Sequence, residues 1–120
     1  MNLYFMKHRK IYREHFGLGP DDFAPCEVSG GRGSDVHHIF GRVKCEAWDT
    51  YGITHADDIH NLMFLSRDIH QWAGQNEFYN EWLMKIHLGF LDDGITGFAR
   101  EPYAEESRRL QQQLLEKLGR

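Results

Sequence analysis

Apolar residues recur at spacings that predict helices near both ends of the chain. A pattern over 5–16 predicts the first of these helices. The strongest pattern runs from Asn76 to Leu91, where the apolar face consists of Phe78, Trp82, Leu83, Ile86 and Phe90. Residues 92–102 are predicted to be loop, and a leucine stripe predicts a final helix from Tyr103 to Leu118. That stripe indicates packing within the chain, with a dimer contact as the alternative.

The middle of the chain combines two β-prone segments with one short helix. The residues from Asp35 to Phe40 predict a strand, and Asn61 to Leu65 predict a second, apolar strand. An apolar stripe then predicts a helix that Ser66 caps and Gly74 ends. The connection 41–60 shows no sustained periodicity of apolar residues. This order of elements predicts an α+β fold.

Composition is typical of one globular domain. The chain has 120 residues, of which 41% are hydrophobic and 27% charged. No apolar run approaches the roughly 20 residues of a membrane span, and the first residues do not have the charge order of a signal peptide. Two cysteines, Cys26 and Cys45, are too few for a disulfide scaffold. A cytoplasmic protein is therefore expected.

The charge distribution leaves room for a local nucleic-acid contact. The net charge of −4 argues against a protein that coats nucleic acid by bulk electrostatics. The acidic excess lies in residues 51–100. Basic residues remain beside a pair of histidines, namely Arg32, Arg42 and Lys44. Such a cluster is often only a solvated surface, and its closeness to the histidines makes it a candidate interface.

The adjacent histidines His37 and His38 lie on the first predicted strand. Neighbouring side chains on a strand point to opposite faces, so the two cannot bind one metal ion as equals. One can bind a metal while the other activates a water, which is the division of labour that metal-assisted phosphodiester cleavage needs. His70, on the helix after the second strand, is a candidate second ligand. The plainer alternative is that the pair only fills a strand and that Asn61 is a turn residue.

The two motifs resemble those of the His-Asn-His (HNH) endonucleases, also called ββα-metal or His-Me finger nucleases. The family signature is [Asp/His]-His-Ile on the first strand, followed by Asn-Leu-x-x-Leu-Cys-x-x-Cys-His at the start of the helix. This chain has His37-His38-Ile39 and then Asn61-Leu62-Met63-Phe64-Leu65-Ser66-Arg67-Asp68-Ile69-His70. It is most similar to small phage-type members that lack the cysteines of a structural zinc site.

The resemblance implies a role for each matched position. His37 and His70 would bind the metal ion, and His38 would be the general base. Asn61 would hold the loop that carries the base. The helix after Ser66 would lie along the minor groove of DNA, with phosphate contacts from Arg42, Lys44 and Arg67.

Two departures from the family pattern affect the expected cofactors. The zinc-binding Cys-x-x-Cys pairs are reduced to Cys26, so no structural zinc is expected, and packing by Val28, Ile69 and the C-terminal helices would replace it. Gly74 occupies the position of a third histidine found in some members. One divalent ion is therefore expected on two protein ligands, and Asp35 could turn inward as an extra oxygen ligand. Its identity stays open among Mg, Mn, Ni and Zn.

The sequence thus predicts a ββα-metal core at 26–74, one N-terminal helix and a C-terminal helical extension over 77–118, in a single domain spanning 1–120. The predicted function is a metal-dependent DNA endonuclease that nicks or cuts both strands. The alternatives are a non-catalytic nucleic-acid-binding module, which the acidic 51–100 segment leaves open, and a nuclease acting on RNA. DNA is the expected partner, a homodimer through the C-terminal helix is a further prediction, and no membrane is expected. The expected location is the cytoplasm of a bacterial or phage-infected cell.

Overall fold

The two β-prone segments pair with each other in a two-stranded antiparallel sheet. Strand β1 spans Asp35–His38 and strand β2 spans Leu62–Leu65. In this register His37 lies opposite Met63, and Asp35 lies opposite the last residue of β2. The sheet therefore brings the histidine pair alongside the second motif.

The computed structural model describes residues 3–93 and 104–120, and in this part of the chain five helices surround the sheet. They are α1 (Leu3–His15), α2 (Glu46–Tyr51), α3 (Arg67–Gln75), α4 (Asn80–Asp93) and α5 (Ala104–Lys117). Short 3₁₀ turns at Ile59–Asn61 and Glu77–Tyr79 precede β2 and α4. The architecture is α+β, as predicted. Across these described ranges, no helix has the length and apolar character needed to cross a bilayer.

Strand β2 is buried on both faces and separates two apolar clusters. Its residues Leu62 and Phe64 pack with Tyr12 of α1 in the smaller cluster. The intervening residues Met63 and Leu65 pack in the larger cluster with apolar side chains of α2, α3, α4 and α5. The alternation of side chains along a strand thus assigns α1 to one side of the sheet and the other helices to the opposite side.

Both strands are shorter than predicted, and Asn61 accounts for both differences. The backbone N–H of Ile39 still donates across to the Asn61 carbonyl oxygen (2.9 Å), but that of Phe40 donates to the side-chain Oδ1 of Asn61 (2.9 Å). The backbone pairing therefore cannot continue to Phe40, where the predicted strand ended, and β1 ends at His38. Asn61 itself ends the 3₁₀ turn that Asp58 caps, so β2 begins one residue later than predicted.

The helices differ from prediction mainly at their ends. Helix α4 begins later than Asn76, because a 3₁₀ turn comes first and leaves Phe78 83% exposed, outside the apolar face. Gly74 lies inside α3 instead of ending it. The predicted loop 41–60 contains α2, on which Trp48 is buried. A helix of fewer than two turns is too short for its period to be recognised in sequence.

The C-terminal part agrees closely with its predicted pattern. Helix α4 continues to Asp93, into the predicted loop 92–102, and the remainder of that loop lies outside the described residues. Helix α5 carries the leucine stripe, of which Leu110 and Leu114 are buried in the larger cluster. The stripe therefore packs within the chain, as expected, and the homodimer stays a prediction.

Packing and α5 hold the region where the family pattern would place a structural zinc. Val28 and Ile69 are 0% and 1% exposed, and both pack with Cys26 in the larger cluster. The side-chain amide of Gln111 on α5 donates to the carbonyl oxygens of Glu27 (3.0 Å) and Val28 (2.8 Å). The expected packing of Val28 and Ile69 with the C-terminal helices is thus present.

A buried carboxylate, Glu27, connects α1, β2 and α4. Its Oε2 accepts from the Tyr12 hydroxyl (2.7 Å) and the Phe64 backbone N–H (3.1 Å), and its Oε1 lies 2.7 Å from His87 Nδ1. His87 Nε2 lies 2.7 Å from the carbonyl oxygen of Ile59. Because both ring nitrogens face acceptors, the surroundings of His87 favour its protonated form. Burial alone would lower its pKa, but the charge and hydrogen bond of Glu27, together with the Ile59 carbonyl, raise the pKa of His87 above its ordinary value.

Candidate metal and catalytic site

The alternation of side chains along β1 separates the two neighbouring histidines. Val36 packs in the cluster beside α1, and His38, two residues further on, lies on the same side. His37 lies on the opposite side, where α3 brings His70 to it. The ring centroids of His37 and His70 are 5.2 Å apart, with an interplanar angle of 71°. The two predicted metal ligands are thus neighbours, and the predicted base faces away from them.

His37 is a buried imidazole with a ring nitrogen that lacks a partner. The residue is 8% exposed, and its Nε2 makes no hydrogen bond within the described part of the chain. Burial, followed by the charges of His70 and His38, lowers the pKa of His37 to about 4, so the ring is neutral at neutral pH and able to bind a metal. Two imidazoles bound tetrahedrally to one ion at about 2.0–2.1 Å have centroids about 5 Å apart. The observed separation fits such a pair.

Asp35, at the start of β1, orients His70. Its Oδ2 lies 3.3 Å from His70 Nδ1 and 3.8 Å from the Arg67 Nε. A carboxylate that accepts a hydrogen bond from one ring nitrogen fixes the tautomer and leaves the other nitrogen for a metal. Asp35 thus contacts the ring of His70, and its role as an extra oxygen ligand stays a prediction.

His38 contacts two groups that the sequence patterns did not single out. Its Nε2 lies 2.9 Å from Asp57 Oδ1, and its ring centroid lies 5.0 Å from that of His8. Burial alone would raise the pKa of Asp57, but the hydrogen bond and charge of His38 lower it, so the carboxylate is ionised. Burial, followed by the charge of His38, lowers the pKa of His8.

These three residues also form a candidate metal-binding group. One ligand atom each from His8, His38 and Asp57 lies within 4.8 Å of the others, and among the described residues this is the one group of three or more that could hold an ion. An ion here would make His38 a ligand and not a base. His8 lies one helical turn before Tyr12 on the face of α1 that meets the sheet, and this spacing was the available sequence signal. No sequence pattern distinguishes Asp57 from the adjacent Asp58.

Asn61 joins the turn after β1 to the loop that carries Asp57. Its Oδ1 accepts from the backbone N–H of Phe40 (2.9 Å), and its Nδ2 donates to the carbonyl oxygens of Gly41 (3.2 Å) and Ala56 (3.0 Å). The residue is 0% exposed, and these partners fix the orientation of its amide. This is the kind of anchoring contact that its predicted role requires.

The predicted phosphate-binding residues lie on the surface. Arg42 is exposed in the turn after β1, and Lys44 is 69% exposed with its Nζ 3.9 Å from Asp49 Oδ1. Arg67 is 74% exposed and lies beside Asp35. Arg67 is therefore placed next to the candidate metal pair, whereas the contact of Lys44 is with α2.

Comparison with known proteins adds no relative to this picture. No protein-family model, curated protein or solved structure matches the chain significantly. The case for a function therefore depends on the geometry of the site and on the motif resemblance.

Proposed function

We propose that this protein is a divalent-metal-dependent endonuclease of the His-Asn-His, ββα-metal type that hydrolyses phosphodiester bonds in DNA. One observation carries the proposal: the β1–β2–α3 unit pairs His37 with His70, while the turn next to His38 is tied down by Asn61. These are the positions at which the resemblance implies two metal ligands, a general base and its anchoring residue.

Each residue has a role that its surroundings support. His37 and His70 would hold the ion, which supplies Lewis-acid neutralisation of the charge that develops on the phosphate. His38 takes a proton from the attacking water. Asp57 accepts the hydrogen bond from His38 Nε2, orients the ring and balances the charge that the ring gains. Arg67, on the first turn of α3, contacts phosphates of the DNA backbone.

The different surroundings of the two neighbouring histidines support this assignment. His37 is enclosed and its pKa is lowered to about 4, which suits a neutral ligand and not a base at neutral pH. The side chain of His38 is 12% exposed, and its Nε2 lies 2.9 Å from the carboxylate of Asp57, which can orient the ring. Exchange of the two roles would place the base at a site without a carboxylate partner.

A plasmid-nicking assay tests the activity. Supercoiled plasmid is incubated with the protein and magnesium, manganese, nickel or zinc in turn, with and without chelator. We expect at least one of the four ions to support conversion to nicked or linear DNA, and this conversion should stop with chelator. If all four ions leave the plasmid supercoiled while the protein still binds it, the chain is a non-catalytic binding module. Parallel reactions on RNA decide between the two nucleic acids.

Histidine variants test the division of roles. His38→Ala should abolish cleavage and retain manganese binding, whereas His70→Ala should weaken manganese binding itself. His55→Ala, an exposed histidine in the loop before β2, is the matched control and should do neither. Cleavage by His38→Ala would remove His38 from the base role, and unchanged manganese affinity in His70→Ala would remove His70 from the ligand pair.

A further inference from the structure

A second set of metal-ligating groups lies on the α1 side of β1, away from the His37–His70 pair. We propose that His8, His38 and Asp57 form a separate site for a transition-metal dication of the zinc class, and that an ion bound there withdraws His38 from catalysis. The existence of the site does not depend on the proposed nuclease function. Its inhibitory effect does.

The ligand atoms are already close to a coordinating arrangement. One atom from each of His8, His38 and Asp57 lies within 4.8 Å of the others, and His38 Nε2 is 2.9 Å from Asp57 Oδ1. Tetrahedral zinc with bonds of about 2.0–2.2 Å holds its ligand atoms about 3.3–3.6 Å apart. The remaining difference can be closed by side-chain rotation, because all three residues are partly exposed.

The three ligands are carried by elements that are anchored independently of any ion. Helix α1 is held to the sheet region by the Tyr12 hydroxyl on Glu27 (2.7 Å) and by the Arg9 guanidinium on the Ser34 carbonyl oxygen (2.6 Å). The loop before β2 and the end of β1 are joined through the side chain of Asn61. A site whose ligand-bearing backbone is ordered in advance loses less entropy when the ion binds.

The donor set selects the class of ion. Two imidazoles and one carboxylate, with a coordination position left for water, suit zinc, whereas manganese binds such nitrogen donors more weakly. Magnesium prefers oxygen ligands and keeps several waters, so it is a poor occupant of this site. The side chains of His38 and Asp57 are 12% and 24% exposed, which leaves an entry route for the ion.

Occupancy would change what His38 can do. A metal ion on Nε2 would replace the hydrogen bond to Asp57, and the ring would then be oriented by the ion instead of by the carboxylate. The general base would then be lost even with the ion on the His37–His70 pair still in place. Zinc should therefore inhibit cleavage that magnesium supports.

Zinc titration by calorimetry tests the site directly. The variant His8→Phe keeps an aromatic ring against His38 and removes both ligand nitrogens. We expect His8→Phe to lack one zinc-binding event that both the wild type and His70→Ala show. Thermal melting checks that the variants are folded. A titration of His8→Phe that matches wild type would overturn the site. Imidazole NMR resonances of the wild-type protein provide a readout without substitution: the signals of His8 must shift on zinc addition, and unshifted signals would overturn the proposal.

A cleavage assay tests the inhibition, with zinc added to magnesium reactions and each protein compared with its own zinc-free rate. Wild type should lose activity as zinc rises, and His8→Phe should resist. Equal inhibition of the two proteins would refute the link to His38. If neither protein cleaves DNA, the nuclease proposal fails together with the inhibitory role, while the calorimetric result still decides whether the site exists.

Discussion

Replacement of Glu27 by glutamine removes one charge from the centre of the protein, while the groups of Tyr12, Phe64 and His87 that contact this side chain keep a hydrogen-bond partner. The glutamine carbonyl oxygen can accept from the Tyr12 hydroxyl and the Phe64 backbone N–H, which both bind Oε2 in the wild type. The amide group then faces His87 Nδ1, which becomes an acceptor in a neutral ring whose Nε2–H donates to the Ile59 carbonyl. The variant thus exchanges an ion pair for a neutral hydrogen bond.

The protonation of His87 determines the pH dependence. In the wild type its folded pKa is raised, so the stabilisation is fully present below the unfolded pKa of about 6.5 and is lost as the pH rises through the folded pKa. In Glu27→Gln burial keeps the ring neutral, so the variant loses stability as the pH falls below about 6.5. The difference in unfolding free energy between the two proteins should therefore shrink by about 1.4 kcal/mol per pH unit, from acid pH up to the folded pKa of His87.

Truncation of the same residue gives the upper limit. Glu27→Ala leaves the His87 imidazolium unpaired and two buried donors without acceptors, which costs about 3–5 kcal/mol. For 120 residues an unfolding entropy of about 2.1 cal/mol/K per residue converts 1 kcal/mol into about 4 °C, so Tm should fall by about 12–20 °C.

Urea denaturation between about pH 5.5 and 8.5, followed by tryptophan fluorescence, measures this difference. Glu106→Gln is the matched control, because it makes the same chemical change in a partly exposed ion pair with Lys85 and should cost less than about 1 kcal/mol at every pH. If Glu27→Gln is destabilised equally at both ends of the pH range, His87 is not charged in the folded protein and the ion-pair interpretation is refuted.

Three further outcomes are expected. Gly33→Ala should destabilise the protein by about 1–3 kcal/mol, because a Cβ there would lie 2.6 Å from the Phe64 ring. Gly74→Ala, inside α3, should stabilise the protein by about 0.5–1 kcal/mol, because a Cβ there meets nothing within 4 Å. Thermal melts in which the two variants do not shift Tm in opposite directions would contradict this pair of predictions. Asn61→Ala should slow plasmid cleavage, because it removes the side chain that holds the turn after β1. Manganese affinity should not change, because Asn61 is not a proposed ligand, and a loss of that affinity would contradict the anchoring role. Arg67→Ala should lower the slope of log affinity for DNA against log salt by about 0.9, and an unchanged slope would show that it contacts no phosphate.

The regular elements were largely predictable, and the errors share a cause. Helical and alternating patterns identified the sheet and four of the five helices in the described ranges 3–93 and 104–120. The patterns placed Phe78 on an apolar face, although it is exposed. They also extended β1 to Phe40, although the Phe40 backbone N–H donates to the side chain of Asn61. A hydrophobic pattern reports burial averaged over a segment and does not contain the hydrogen-bond partner that ends it.

The candidate site divides in the same way. His37, His38, Asn61 and His70 could be identified because each falls within a short motif. The partner of His38, Asp57, is 19 residues away, and Glu27 and His87 are 60 residues apart. No local spacing marks such pairs, since they meet only when separate elements pack.

The placement of His37 and His38 on opposite faces of one strand follows from the amino-acid order, because side chains alternate along a strand whatever it packs against. The partners of each histidine depend instead on how separate elements pack. Helix α3 brings His70 to one face, whereas α1 and the loop before β2 bring His8 and Asp57 to the other. Alternation is a property of the backbone, but the partners depend on which elements bury their apolar faces against each side of the sheet.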